Sequence, residues 1–116
     1  MSLSELEAAR INKVIGGFVE RTRPPAHIRP KLDIGYRLRG QSVELFEIRP
    51  VWRGAPGAKK EHGFAKATYV RTRHRWRIFW LRQDLKWHSY EPVPEVKSLE
   101  EFVAVVQADS YACFFG

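Results

Sequence analysis

The 116-residue sequence contains a single cysteine and no long hydrophobic run. One thiol cannot form an internal disulfide, and no apolar stretch approaches the roughly 18 residues of a membrane span. The N-terminal residues also lack the basic and apolar regions of a signal peptide. These absences predict a cytoplasmic protein that does not enter a membrane. The lone Cys113 lies beside two phenylalanines and is expected to be a small buried side chain.

The sequence patterns of common enzymes are missing as well. There is no P-loop, no Gly-x-Gly-x-x-Gly, no nucleophile elbow and no Cys-x-x-Cys. The four histidines do not lie at metal-ligand spacing; they are His27, His62, His74 and His88. We therefore assign no catalytic residue, metal or cofactor, and the sequence favours a non-enzymatic protein.

The composition is that of one folded domain covering residues 1–116. Hydrophobic residues make up 44% and charged residues 28% of the chain, close to globular averages. The formal net charge is +7, from 20 Lys and Arg against 13 Asp and Glu. This bias is consistent with nucleic acid or an acidic protein as the partner, or with a charge that serves only solubility.

Two segments have the pattern of amphipathic helices. Ser4 to Glu7 and Ser98 to Glu101 are capping-box sequences, and an apolar stripe follows each serine. The stripes are Ile11, Val14, Ile15 and Phe18 in the first segment, and Leu99, Phe102, Val103 and Val106 in the second. We expect the helices to end near Arg21 and near Ala108, and the Gly16-Gly17 pair to mark close packing against a neighbour.

The segment between the helices has the alternation of β-strands. From Leu32 to Leu38 apolar and polar residues alternate, and Gly40-Gln41 suits a type II′ hairpin turn. The further predicted strands are Val43 to Val51, Phe64 to Arg71, Trp76 to Arg82 and Leu85 to Glu91, and residues Arg53 to Gly63 are predicted to form an exposed, mobile loop. The predicted class is α+β: a four- to five-stranded antiparallel meander with an N-terminal and a C-terminal helix on one face.

The strand Val43 to Val51 contains a conflict between its two faces. If Val43 and Leu45 face the helices, Glu47 and Arg49 are carried toward the same layer and should pair with each other. If a β-bulge shifts the register, Phe46 and Ile48 point inward instead. Both arrangements remain open from the sequence.

The densest functional signal is a basic and aromatic hairpin that includes residues 76–91. Its candidate nucleic-acid-binding residues are Arg71, Arg73, Arg75, Arg77, Trp76, Trp80, Lys86 and Trp87. Guanidinium groups bind phosphate and aromatic faces stack on unpaired bases, so this surface is the leading hypothesis for function. The alternative is that the tryptophans point into the core and the arginines outward, where they pair with the acidic C-terminal helix.

A second candidate is a polar site for a protein partner or an identical subunit. It consists of Glu47, Arg49, His88 and Tyr90. The apolar residues 111–116 are expected to pack on their own sheet, or else to form a homodimer contact. A weaker third hypothesis is a metal-dependent nuclease, because Asp33 followed by Glu47-Ile48-Arg49 has the spaced acids of such sites.

Several separated motifs together resemble the uncharacterised bacterial family catalogued as domain-of-unknown-function family 3024. They lie at residues 3–7, 36–40, 46–50, 84–92 and 114–116, and the similarity spans nearly the whole chain. The resemblance implies a stand-alone, small bacterial cytoplasmic protein and adds no activity. The motif positions that it marks for testing are Glu47, Arg49, Lys86, Trp87, His88 and Tyr90.

Overall fold

A computed structural model of the chain describes residues 3–51, 53–109 and 113–114. Two helices flank six strands in chain order. The elements are α1 (Glu5–Thr22), β1 (Asp33–Arg39), β2 (Ser42–Pro50), β3 (Lys59–Val70), β4 (Arg75–Leu81), β5 (Trp87–Ser89), β6 (Glu95–Val96) and α2 (Leu99–Ala108). The elements thus follow the predicted order.

The strands form one antiparallel sheet. Strands β1 to β5 are hydrogen-bonded neighbours in sequence order, and β6 also pairs with β4. Short connections between consecutive strands produce such a meander because an antiparallel partner can return directly. The predicted α+β meander with two terminal helices is confirmed.

The helix starts follow the predicted capping patterns. At α1, the Ser4 hydroxyl accepts from the Glu7 amide and the Glu7 carboxylate accepts from the Ser4 amide. At α2, the Ser98 hydroxyl accepts from the Glu101 amide at 3.2 Å. The helix ends at Ala108 before Asp109, which is left-handed with φ 40°. The serines therefore fix where both helices begin.

The core lies between the two helices and one face of the sheet. The helices contribute Ile11, Ile15, Phe18, Phe102 and Val106, and the strands contribute Val43, Leu45, Ala65, Ala67 and Ile78; all are fully buried. These strand residues share one face, since they are cross-strand partners or alternate along a strand. Among the residues that the structure describes, no helix packs on the opposite face of the sheet.

A β-bulge resolves the conflict that the sequence showed in β2. Leu45 pairs with Ala65 but Phe46 pairs with Gly63, so Phe64 is the extra residue and the bulge lies in β3. Leu45 stays in the helix-facing core, whereas the Phe46 ring lies on the opposite face beside Arg37. The observed arrangement is thus the one in which Val43 and Leu45 face the helices. Glu47 and Arg49 extend past the core and bind each other at 2.7 Å (Nη2 to Oε2).

The predicted loop and the last predicted strand were partly wrong. β3 begins at Lys59, so the segment without strand structure is shorter than residues 53–63. The prediction failed because Lys59 to His62 are all exposed and carry no apolar alternation. Strand β5 covers only Trp87–Ser89 because Leu85 has a left-handed φ of 61° in the preceding turn. The two-residue β6 lies beyond Pro94 and was not predicted.

The C-terminal residues that the structure describes pack against their own sheet. Phe114 is 4% exposed, its ring centroid lies 4.7 Å from that of Tyr90, and its amide donates to Asp109 Oδ1 at 3.0 Å. Cys113 is half-buried, and burial raises the pKa of its thiol. The homodimer prediction for this tail falls largely on residues 111–112 and 115–116, which lie outside the described residues.

Candidate nucleic-acid interface

The sheet face opposite the helices, which we term the open face, carries both cations and aromatic rings. The register places side chains from five strands on it: Arg37, Arg39, Glu44, Phe46, Glu61, Lys66, Arg77, Phe79 and Trp87. Alternation along each strand puts their sequence neighbours on the helix-facing side. A surface made of several strands is therefore assembled from residues far apart in sequence.

Two glycines let aromatic rings lie against the sheet backbone. A Cβ at Gly35 would come within 3.0 Å of Cε2 of Phe46, and a Cβ at Gly63 within 2.9 Å of Cζ2 of Trp87. A side chain at either position would displace the ring above it. The absence of these side chains therefore allows the two rings to lie close to the strands.

A cation lies over each ring on the open face. The Arg37 guanidinium carbon is 4.5 Å from the Phe46 ring centroid. Lys66 Nζ lies 4.9 Å from the Phe79 centroid and 5.0 Å from that of Trp87. These distances are typical of cation–π contacts. Burial lowers the pKa of Lys66, while the nearby carboxylate of Glu44 acts in the opposite direction.

Two carboxylates offset part of the positive charge. Glu44 Oε atoms lie 3.9 Å from both Arg37 Nε and Arg39 Nη1, and Arg37 is also paired with Glu61. Arg39 remains 68% exposed, and Arg77 is exposed with its guanidinium carbon 5.0 Å from the Phe79 ring centroid. These two arginines can therefore reach a phosphate without leaving a buried partner.

The structure separates the arginines that the sequence grouped together. Arg71 pairs with Glu7 at 3.1 Å, and Arg73 pairs with Glu95. The Arg75 guanidinium donates to the carbonyls of Arg73 and His74 at 3.2 and 3.3 Å. These three guanidinium groups stabilise the β3–β4 turn and its contacts, whereas Arg77 lies on the open face.

The three predicted tryptophans also lie in different places: one in the core, one on the helix-facing side and one on the open face. Trp76 is 8% exposed and packs in the core, with its ring centroid 5.0 Å from that of Tyr69. Trp80 lies on the helix-facing side, where Arg82 contacts its ring at 5.4 Å. Trp87 belongs to the open face, and Lys86 is exposed in the turn before it. The predicted hairpin surface is therefore not continuous.

The four residues of the predicted polar site do not form one cluster. Glu47 and Arg49 pair with each other on β2, whereas His88 Nε2 lies 2.8 Å from Asp84 Oδ2, and this contact lowers the Asp84 pKa. Strands β2 and β5 are three strand spacings apart, roughly 14 Å. Tyr90 is 2% exposed and belongs to the core.

The two acids of the nuclease hypothesis point to opposite faces of the sheet. Asp33 pairs in register with Ile48, whereas Glu47 pairs with Ile34, one position along β1. Asp33 receives two hydrogen bonds from Arg23, at 2.9 and 2.7 Å, which lower its pKa. Residues 3–51, 53–109 and 113–114 contain no group of three or more His, Cys, Asp or Glu side chains that could hold a metal.

Sequence reasoning missed seven of the nine open-face residues. Six of them lie on the first three strands, away from the predicted hairpin, and the seventh, Phe79, lies within it; the six are Arg37, Arg39, Glu44, Phe46, Glu61 and Lys66. The available signal was the parity of Arg37 and Arg39 together with the strand glycines Gly35 and Gly63. Glycine inside a strand often marks close approach of another group, here an aromatic ring.

Fold and surface together define a small α+β domain with one covered and one basic, aromatic sheet face. The chain belongs to the family described as Domain of unknown function (DUF3024), whose profile matches residues 3–116. The resemblance on the separated motifs is thereby confirmed. Neither a curated protein nor a solved structure matches the chain significantly. In the described part of the chain, neither helix is long and apolar enough to cross a bilayer.

Proposed function

We propose that this protein is a non-enzymatic module that binds single-stranded nucleic acid on its open face. The observation that carries the proposal is the layer of Phe46, Phe79 and Trp87 rings, each in contact with a lysine or arginine at 4.5–5.0 Å. Phe46 is only 9% exposed and lies beneath Arg37. The half-buried Phe79 and Trp87 rings are therefore the stacking platforms, and the cations are the phosphate-binding groups. Both are what a single strand requires of a protein.

Single strands fit this face better than duplexes because the bases of a duplex are already stacked. Phe79 and Trp87 are half-buried diagonal neighbours on β4 and β5, so their Cα atoms are roughly 7–8 Å apart. Stacking of a base on an aromatic ring contributes about 1–3 kcal/mol. Arg39 and Arg77 lie in one cross-strand row through Ser42 and Thr68, and they supply charge to the backbone at the same end of these rings.

The alternative of an acidic protein partner at Glu47, Arg49 and His88 has less support. Each of these side chains already has an intramolecular partner, and the strands that carry them are not adjacent. The open face has a larger continuous group of cations and rings. A bacterial, cytoplasmic setting belongs to the proposal and is supported by the family resemblance and the single cysteine.

The experiment is fluorescence anisotropy of labelled single-stranded and duplex DNA and RNA at about 50 and 200 mM salt. Trp87→Ala should weaken single-strand binding about 5- to 150-fold, which corresponds to one lost stacking contact of about 1–3 kcal/mol. Trp80→Ala is the matched control because Trp80 also contacts an arginine but lies on the helix-facing side. It should bind like the wild type.

The charge contribution is tested on the same titrations. Arg77→Ala should reduce the slope of the logarithm of affinity against the logarithm of salt by about 0.7, the value for one phosphate contact on a single strand. Arg49→Ala removes an equal charge away from the open face and should leave the slope unchanged. The proposal is wrong if no oligomer binds at about 50 mM salt, or if the Trp80 and Trp87 variants lose affinity equally.

A further inference from the structure

Strand β1 forms an edge of the sheet. Its seven residues pair with β2 on one side. Within residues 3–51, 53–109 and 113–114, no strand pairs with its other side. An edge strand presents unpaired amide and carbonyl groups that can template a further strand.

The hairpin turn determines which backbone groups of β1 point outward. Arg39 and Ser42 flank the two-residue turn, in which Gly40 has φ 60°, so they form the hydrogen-bonded pair that closes the hairpin. Because hydrogen-bonding direction alternates along a strand, Gly35 and Arg37 also bond toward β2. The amides and carbonyls of Ile34, Tyr36 and Leu38 therefore point away from the sheet, and the Ile34 amide donates to Asp33 Oδ1 at 2.8 Å.

The sequence of β1 is complementary to itself in the antiparallel direction. We propose that a second copy of this chain pairs with β1 along this edge, with Tyr36 of each copy at the two-fold axis. This register places Ile34 opposite Leu38 of the second copy, and Asp33 opposite Arg39 of the second copy. Residues 34, 36 and 38 would form about six backbone hydrogen bonds across the axis, and two of these require the Ile34 amides to exchange Asp33 Oδ1 for a carbonyl of the second copy.

Charge favours the register with its axis at Tyr36 over the register with its axis at Arg37. With the axis at Tyr36, Asp33 lies between Arg23 of its own chain and Arg39 of the other copy. Arg39 is 68% exposed and its nearest carboxylate, Glu44, is 3.9 Å away, so its guanidinium is available. Moving the axis to Arg37 would instead place two arginines directly opposite, which is unfavourable.

Pairing through β1 would extend the sheet across both copies. Cross-strand partners share a face, so the two open faces would join into one surface with Arg37 and Arg39 of both copies near the axis. The inference concerns assembly and does not depend on whether the open face binds nucleic acid.

Analytical ultracentrifugation over a wide concentration range tests the assembly. The wild type should show a monomer–dimer equilibrium, and Arg39→Glu should raise the dimer dissociation constant about tenfold, because two exposed ion pairs become repulsive. Arg77→Glu is the control: it makes the same charge change on the same face, but on β4. It should dimerise like the wild type.

Amide hydrogen exchange identifies the surface used. The amides of Tyr36 and Leu38 should gain protection as the protein concentration rises, whereas at every concentration those of Gly35 and Arg37 are protected by β2 and that of Ile34 by Asp33. A chain that stays monomeric throughout would refute the proposal. So would a dimer in which the amides of Tyr36 and Leu38 stay unprotected, or one that Arg39→Glu and Arg77→Glu weaken equally.

Discussion

Replacing Gly16 with alanine probes the close packing between α1 and β1. A Cβ at this position would lie 3.1 Å from the Tyr36 hydroxyl oxygen. That hydroxyl donates to Asn12 Oδ1 at 2.8 Å, so the end of the ring is held in place. The new methyl group can be accommodated only if Tyr36 moves by a few tenths of an ångström.

The expected change in the free energy of unfolding is the difference between two opposing contributions. Alanine inside a helix is favoured over glycine by about 0.8–1.0 kcal/mol. Overpacking against a held group costs about 1–3 kcal/mol. We therefore expect Gly16→Ala to leave the free energy of unfolding unchanged or to lower it by up to about 2 kcal/mol.

The neighbouring glycine supplies the matched control. A Cβ at Gly17 would meet only Arg21 Nη1 at 3.2 Å, and this atom is the end of a flexible side chain that can move. Gly17→Ala should therefore stabilise the protein by about 0.8–1.0 kcal/mol. In a Tyr36→Phe background, which lacks the hydroxyl, Gly16→Ala should stabilise the protein by a similar amount.

Urea unfolding of the four variants and the wild type measures these differences. The midpoints should move while the slope of unfolding free energy against urea stays constant, since the exposed surface is unchanged. If Gly16→Ala stabilises the protein as much as Gly17→Ala does, Tyr36 does not restrict this position. Additive effects of Gly16→Ala and Tyr36→Phe would lead to the same conclusion.

Two further predictions concern Asp33 and Gly63. Hydrogen bonds from Arg23 lower the pKa of Asp33. The ionised carboxylate therefore stabilises the fold fully above the ordinary aspartate pKa of about 3.9. This stabilisation is lost as the pH falls through the lowered pKa. The stability difference between the wild type and Asp33→Asn should accordingly shrink on acidification in that range in urea titrations, and a difference that is constant with pH would contradict the assignment. Gly63→Ala should displace the indole of Trp87, shift the tryptophan emission and weaken single-strand binding although the ring is still present. Unchanged emission and affinity would show that Trp87 does not need to lie against the backbone.

Local patterns in the sequence predicted the elements that local chemistry determines. Ser4 and Ser98 predicted both helix starts, and Gly40 predicted the first hairpin, because caps and tight turns depend on residues a few positions apart. The first four residues of β3 could not be predicted in this way. They are exposed, and their partners on β2 determine their conformation.

The candidate site was harder to predict because it depends on register. Trp76 and Arg77 are adjacent in sequence but point to opposite faces, whereas Lys66 and Phe79 become neighbours only through the pairing of β3 with β4. A segment rich in basic and aromatic residues therefore does not show by itself that these side chains share one surface. Arg37 and Phe46 belong to the β1–β2 hairpin, in which the sequence had indicated only Asp33, Glu47 and Arg49 as candidate functional residues.

The bulge at Phe64 divides β3 into two segments of opposite phase. Before it, the odd-numbered Glu61 and Gly63 belong to the open face; after it, the even-numbered Lys66 and Thr68 do. The hairpin β2–β3 can therefore lengthen or shorten by residue pairs at its far end without disturbing the core. A regular ladder in which Phe64 paired with Phe46 would instead exchange the two faces of every residue between Phe64 and the β2–β3 turn, whereas loss of Phe64 would leave Gly63 opposite Phe46 and the faces unchanged. The composition of the open face thus depends on the bulge at Phe64 as well as on residue identity.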